Sequence, residues 1–212
     1  MILLLAALAL AGCNGGHPQA SAPEAMVMDQ ATYEAWEIAL VEMRIEKNER
    51  FADEANTPLP AERLASFDGL NYYFPRADLR FRTPFMASAG TDTVLLTKRR
   101  GQIVPYLRRG QVRFSHEGRV HTLPVFGPAA PAEGNYLWLP FTDPTTGQDT
   151  YAGGRYLDIT LDADGMIDLD FNRAYNPLCD YNADKFNCTL PPAESRLDFA
   201  VEAGEKTFGT GH

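Results

Sequence analysis

Between Leu79 and Phe171 the chain is cut into short apolar runs by turn-forming dipeptides, and this punctuation limits the fold more than any other feature. The breaks fall at Ala89-Gly90, Arg100-Gly101, Arg109-Gly110, Glu117-Gly118, Thr146-Gly147 and Asp164-Gly165. The runs are Leu79–Phe85, Thr93–Lys98, Ile103–Leu107, Gln111–His116, Arg119–Val125, Tyr136–Phe141, Arg155–Leu161 and Ile167–Phe171. Short segments rich in β-branched and aromatic residues read as antiparallel strands. One helix precedes them, over Thr32–Asp53. There Trp36, Leu40, Met43, Lys47 and Phe51 recur at three- and four-residue spacing, and Thr32 is placed to cap the start. The expected fold is mainly β with an N-terminal α-helix. It is an antiparallel β-barrel or sandwich of about seven or eight strands, followed by an irregular, disulfide-stapled C-terminal tail.

Composition agrees with a globular domain and narrows its partners. Of 212 residues, 45% are hydrophobic and 22% charged, with a formal net charge of −9. The chain is too apolar to be disordered. It is too acidic to read as a general nucleic-acid binder, which needs clustered Lys and Arg for phosphate contacts.

The first residues give an address. Met1 to Gly12 carry no charge and are almost all Leu, Ile and Ala. A run this short falls below the roughly 20 residues that span a bilayer and reads as a secretory leader. It ends Leu10-Ala11-Gly12-Cys13, which resembles the lipobox of bacterial lipoproteins. That resemblance implies cleavage before Cys13 and acylation of Cys13. No Lys or Arg precedes the apolar run, a departure from the usual leader. The expected organisation is a lipoprotein signal peptide over 1–12, a flexible tether over 13–27 and a single globular domain over 28–212. The tether is small, polar and Pro/Gly-rich. The expected location is the bacterial cell envelope, lipid-anchored and facing the periplasm or exterior.

Two further cysteines, Cys179 and Cys188, remain. In an exported chain an even pair reads as one disulfide. A metal site is the competing reading, with Asp180, Asn182, Asp184 and Asn187 as the ligands at hand between them.

Several blocks in order carry a family likeness: Phe67-Asp68-Gly69-Leu70, Pro140-Phe141-Thr142-Asp143, and Thr150-Tyr151-Ala152-Gly153-Gly154-Arg155-Tyr156-Leu157-Asp158. They continue with Asp170-Phe171-Asn172-Arg173-Ala174-Tyr175-Asn176-Pro177, Cys188-Thr189-Leu190-Pro191-Pro192 and Ala203-Gly204-Glu205-Lys206. Their order resembles the bacterial domain-of-unknown-function family 1684, over roughly Ala31 to Phe208. Ser195 stands where that pattern has Asn. The resemblance implies a secreted or lipoprotein domain and brings no activity.

Chemistry must therefore come from the residues. The chain lacks G-x-S-x-G, H-E-x-x-H and G-x-x-x-x-G-K-[ST]. His116 and His121 flank the Glu117-Gly118 turn, whose register pairs His116 with Arg119 and His121 with Phe114, so both read as structural. Asp162-Ala163-Asp164-Gly165 is not a calcium loop, because Thr160 and Phe171 would fill its first and twelfth positions. It reads instead as a hairpin turn with Gly165 as the left-handed residue, pairing Asp162 with Met166. Carried along both strands, that register gathers Leu157, Ile159, Leu161, Ile167, Leu169 and Phe171 on one face. It sets Asp158 opposite Asp170, Thr160 opposite Asp168 and Tyr156 opposite Asn172. Facing carboxylates repel, so a basic partner, a cation or a shared proton is expected there.

The candidate ligand-binding residues are Tyr151, Arg155, Tyr156, Asp158, Asp170, Asn172, Tyr175 and Asn176. Arg155 falls on the face of Leu157 and reads either as a structural ion pair or as an anion contact. No cofactor and no metal are assigned. The functional expectation is a membrane-tethered lipoprotein that binds a small polar ligand or an envelope protein, held to membrane lipid through acylated Cys13. The alternative is a hydrolase using Asp158 and Asp170 as acid and base or as cation ligands.

Overall fold

Where a strand's partner is its sequence neighbour, the turn dipeptides decide the register. We analysed a computed structural model that describes residues 21–129 and 136–209. Glu117 and Gly118 both adopt positive φ, the turn geometry whose twist matches that of the flanking strands. It joins strand β3 (Ile103–His116) to β4 (Arg119–Pro128), pairing Phe114 with His121 and His116 with Arg119. Both imidazoles pack on the ring of Phe199.

Among the described residues seven strands form: β1 (Arg80–Pro84), β2 (Met86–Thr97), β3, β4, β5 (Leu137–Phe141), β6 (Arg155–Ile159) and β7 (Met166–Asp170). Two expected turns are not turns. Ala89-Gly90 lies within β2 and Arg109-Gly110 within β3, and the register shifts at both places as a bulge. Gly110 is required there. A Cβ would lie 2.4 Å from the carbonyl oxygen of Met86 and 2.7 Å from the Phe85 ring. The two expected strands of 103–116 are thus one bent strand.

The barrel expectation is overturned. Strands β2-β3-β4-β5-β6 form one open antiparallel sheet, and β1 and β7 form a separate two-stranded ribbon. Closure would need β2 and β6 to pair, but the chain's own tail occupies both edges. Tyr175 pairs with Tyr156 of β6, and Leu190 N–H donates to the Thr97 carbonyl of β2 at 2.8 Å.

The turn at Asp162–Met166 forms as expected, with Gly165 left-handed and a bridge at Leu161–Ile167. Beyond that bridge the two strands part. Asp158 lies opposite Trp138 of β5, whereas Asp170 lies opposite Arg80 of β1 and Asp168 opposite Arg82. The expected facing of Asp158 with Asp170, and of Tyr156 with Asn172, is therefore corrected. The periodicity still sorts five of the six apolar side chains properly; the exception is Leu161 beside the turn, which is 44% exposed. Leu157, Ile159, Ile167, Leu169 and Phe171 are all buried in the main core, with Phe81, Phe114, Leu139 and Phe141. Hydrophobic alternation fixes a face, not a partner.

Helix α1 spans Gln30–Ala52 and buries Trp36, Leu40 and Phe51. Its cap is Asp29, whose Oδ1 accepts from Thr32 N–H at 2.8 Å, rather than Thr32 itself. A carboxylate also suits the positive end of the helix. The folded contacts reach back before Met28. Ala22 is buried, Ser115 N–H donates to the Pro23 carbonyl and Ala25 pairs with Phe81. The remainder of the expected tether, the leader and Cys13 lie outside the described residues. Among the described residues no helix is long and apolar enough to cross a membrane.

Candidate functional site

The tail positions the site. It leaves the β6 edge at Tyr175, enters a short helix α2 (Leu178–Tyr181) and returns to the β2 edge at Thr189. The disulfide Cys179–Cys188 closes this excursion, with the Cα atoms 5.9 Å apart. Both sulfurs are thereby used, and among the described residues no group of three or more His, Cys, Asp or Glu is placed to hold a metal ion. Tyr106 of β3 and Tyr156 of β6 hydrogen-bond to Thr189, at its hydroxyl and its carbonyl respectively. Between the tail, α1 and the outer face of the sheet lies an open cleft of about 1010 Å³.

One wall of the cleft is aromatic. Tyr106, Trp138, Tyr156 and Tyr175 touch in series, with ring centroids 5.1, 4.8 and 5.8 Å apart. Alternation along β5 and β6 explains them: Leu139, Phe141, Leu157 and Ile159 point into the core, so Trp138, Tyr156 and Asp158 point the other way. Asp158 is exposed at this wall. Its Oδ1 accepts from the hydroxyls of Tyr136 at 2.8 Å and Tyr175 at 2.7 Å. Burial, with the neighbouring negative charge, pushes both phenols well above their ordinary value, so they stay protonated and keep donating.

The far end of the cleft is a mostly buried polar cluster. Lys47 on α1 pairs with Glu205, which also accepts from Tyr72, Tyr181 and the Asn176 amide. The Lys47 ammonium sits 5.3 Å from the centroid of Tyr175. Asn176 is buried, donating from Nδ2 to Asp180 and to the Lys206 carbonyl. Asp180, itself largely withdrawn from water, is pushed up to about 6 by burial.

The sequence-nominated residues thus divide. Tyr156, Asp158, Asp170, Asn172, Tyr175 and Asn176 all line the cleft, but Asp170 and Asn172 are already engaged within the fold. Asp170 lies beneath α1, where Oδ2 accepts from the Trp36 indole at 2.8 Å and Oδ1 from the Asn172 amides at 2.8 and 2.9 Å. Asn172 in turn ties down the backbone of Arg76. Arg155 is 1% exposed. Its guanidinium donates to Asp143 Oδ2 at 2.8 Å and to the carbonyls of Val201, Ala203 and Glu205, and it stacks on Phe141. Burial lowers its pKa, opposed by Asp143, and a guanidinium stays charged regardless. Tyr151 is not part of the cleft wall. Sequence reading missed Tyr106, Tyr136, Trp138, Lys47 and Glu205. One signal was present: Lys47 stands in the apolar stripe of α1, where a cation needs a buried partner.

The comparisons place this architecture. The family described as "Protein of unknown function (DUF1684)" matches residues 65–206. The chain belongs to that family. It is similar to the solution structure of an uncharacterized protein from gene locus rrnAC0354 of Haloarcula marismortui. The two share 37% identity and a TM-score of 0.66, over 87% of this chain and 100% of the other. No curated protein matches.

Proposed function

We propose that the protein is a lipoprotein of the cell envelope, tethered through Cys13, whose folded domain binds a small polar ligand in the cleft beside β5 and β6. The observation that carries the binding reading is the joining of an open cleft, a continuous aromatic wall and an exposed carboxylate. Aromatic walls with a few convergent polar groups are the usual make-up of small-ligand sites. The Leu10-Ala11-Gly12-Cys13 sequence supports the tether. The hydrolase alternative has less support, since Asp158 and Asp170 are not cross-strand partners and Asp170 accepts from Trp36 and Asn172.

Thermal melts of the full chain against sugars, amines and organic acids test the cleft. A true ligand at 100 times its dissociation constant adds about 2.7 kcal/mol of apparent stability. At least one class should raise the midpoint, and a panel without effect overturns the reading. Cys13→Ser should move the chain out of the membrane fraction. Sedimentation with membranes unchanged by that substitution overturns the tether.

A further inference from the structure

The carboxylates around the cleft are not alike. Asp168 pairs with Arg80, Asp170 lies 3.8 Å from Arg173, and Glu205 pairs with Lys47. Asp158 belongs to none of the ion pairs among the described residues. Lys98 and Lys185 line the same cleft without pairing with it. Among the described residues its side chain's only hydrogen-bond partners are two tyrosine hydroxyls, and both give their protons to the same oxygen, Oδ1. What this cluster can still offer a ligand is therefore a set of acceptors: Oδ2 of Asp158 and the lone pairs of the Tyr136 and Tyr175 oxygens. An anion finds no donor there. A group with several N–H donors and a positive charge satisfies all three at once.

The surrounding rings favour the same group. Exposed Tyr136 and half-buried Tyr175 flank the carboxylate, with the buried Trp138 and Tyr156 packed behind them, and aromatic rings attract cations, most strongly when water is excluded. The protein uses this pairing elsewhere: Arg155 meets both Asp143 and the Phe141 ring, and Lys47 meets both Glu205 and the Tyr175 ring. At Asp158 the carboxylate and rings are present, and among the described residues no cation pairs with the carboxylate, Lys47 over the Tyr175 ring being committed to Glu205.

We infer that Asp158, Tyr136 and Tyr175, with the Trp138–Tyr156 wall, receive a cationic amine, an ammonium or guanidinium group carried by the ligand. The inference rests on reading the cleft as a ligand site, and it names that ligand's chemical class.

The test is an NMR titration of the full chain, following the Trp138 indole N–H resonance, assigned by its absence in Trp138→Phe. The probes are n-butylammonium and butylguanidinium, neutral n-butanol, anionic butyrate, and glucose. Both cations should shift Trp138 saturably and bind at least about tenfold more tightly than n-butanol. Raising the salt concentration should weaken the cations and leave n-butanol unchanged, because only the charged contact is screened. Asp158→Asn should cost the cations about tenfold while the melting midpoint holds. Should that variant fail to fold, the cation-to-butanol ratio and its salt dependence in the parent decide alone. Saturable shifts from glucose or butyrate without shifts from the cations overturn the amine inference and leave the cleft reading standing. Equal cation affinity in parent and Asp158→Asn also overturns the inference. Silence of Trp138 towards every probe overturns both.

Discussion

Arg155–Asp143 and Asp158 are built from the same materials, a carboxylate set against aromatic rings, and they reach opposite conditions. Asp143 is buried and saturated: Arg155 and the Val201 amide donate to Oδ2, and Thr145 donates twice to Oδ1. Every charge in that centre is answered by the chain. Asp158 is exposed in the cleft, and among the described residues only tyrosine hydroxyls answer its side chain. The difference separates a polar cluster that holds the fold from one that has capacity left for something else. Burying an ion pair requires its full set of partners, whereas an exposed carboxylate in an aromatic recess can wait for a ligand.

The sharpest way to break the comparison is at the buried centre. Arg155→Met strands Asp143 without its cation and should cost about 3–5 kcal/mol in urea melts. A loss below about 1 kcal/mol would mean that the centre is not structural. Next comes the tail that forms the far side of the cleft. Cys179→Ala with Cys188→Ala removes a short closed loop and should cost about 2–3 kcal/mol, measured against the reduced parent as a control that should lose a similar amount.

A smaller, pH-dependent effect comes from Asp180. Its folded-state pKa, near 6 because of burial, lies above the usual carboxylate value near 4. The folded state holds this proton more tightly than the unfolded state, so the group's contribution is fully present below about pH 4. It is lost as pH rises through 6. Carboxyl-carbon NMR should place its midpoint near 6, and Asp180→Asn should flatten the stability slope across that window. A midpoint near 4 would contradict the burial argument.

Much of this was legible in the sequence, and the limit has a physical form. The turn at Asp164-Gly165, the pairing around Glu117-Gly118 and the inward face of β6 and β7 all follow from local rules: turn chemistry and alternation. The partners of β6 and β7 did not, because alternation is satisfied equally by any neighbour that covers the apolar face. β7 found β1, whose Arg80 and Phe81 lie far upstream, and β6 found β5. The candidate site suffered the same way. Tyr156, Asp158 and Tyr175 were within one stretch and were named. Tyr106, Trp138 and Lys47 reach the cleft only once three distant segments have met.

The most direct measurement compares two substitutions of identical chemistry in one set of urea melts. Asp143→Asn removes the charge that answers Arg155 and should cost about 3–5 kcal/mol. Asp158→Asn removes a charge with no ionic partner among the described residues and should stay within about 0.5 kcal/mol of the parent, as for surface changes generally. If Asp158→Asn costs as much as Asp143→Asn, the tyrosine-held carboxylate is a structural element like the other, and the claim that the cleft keeps it for a ligand is contradicted.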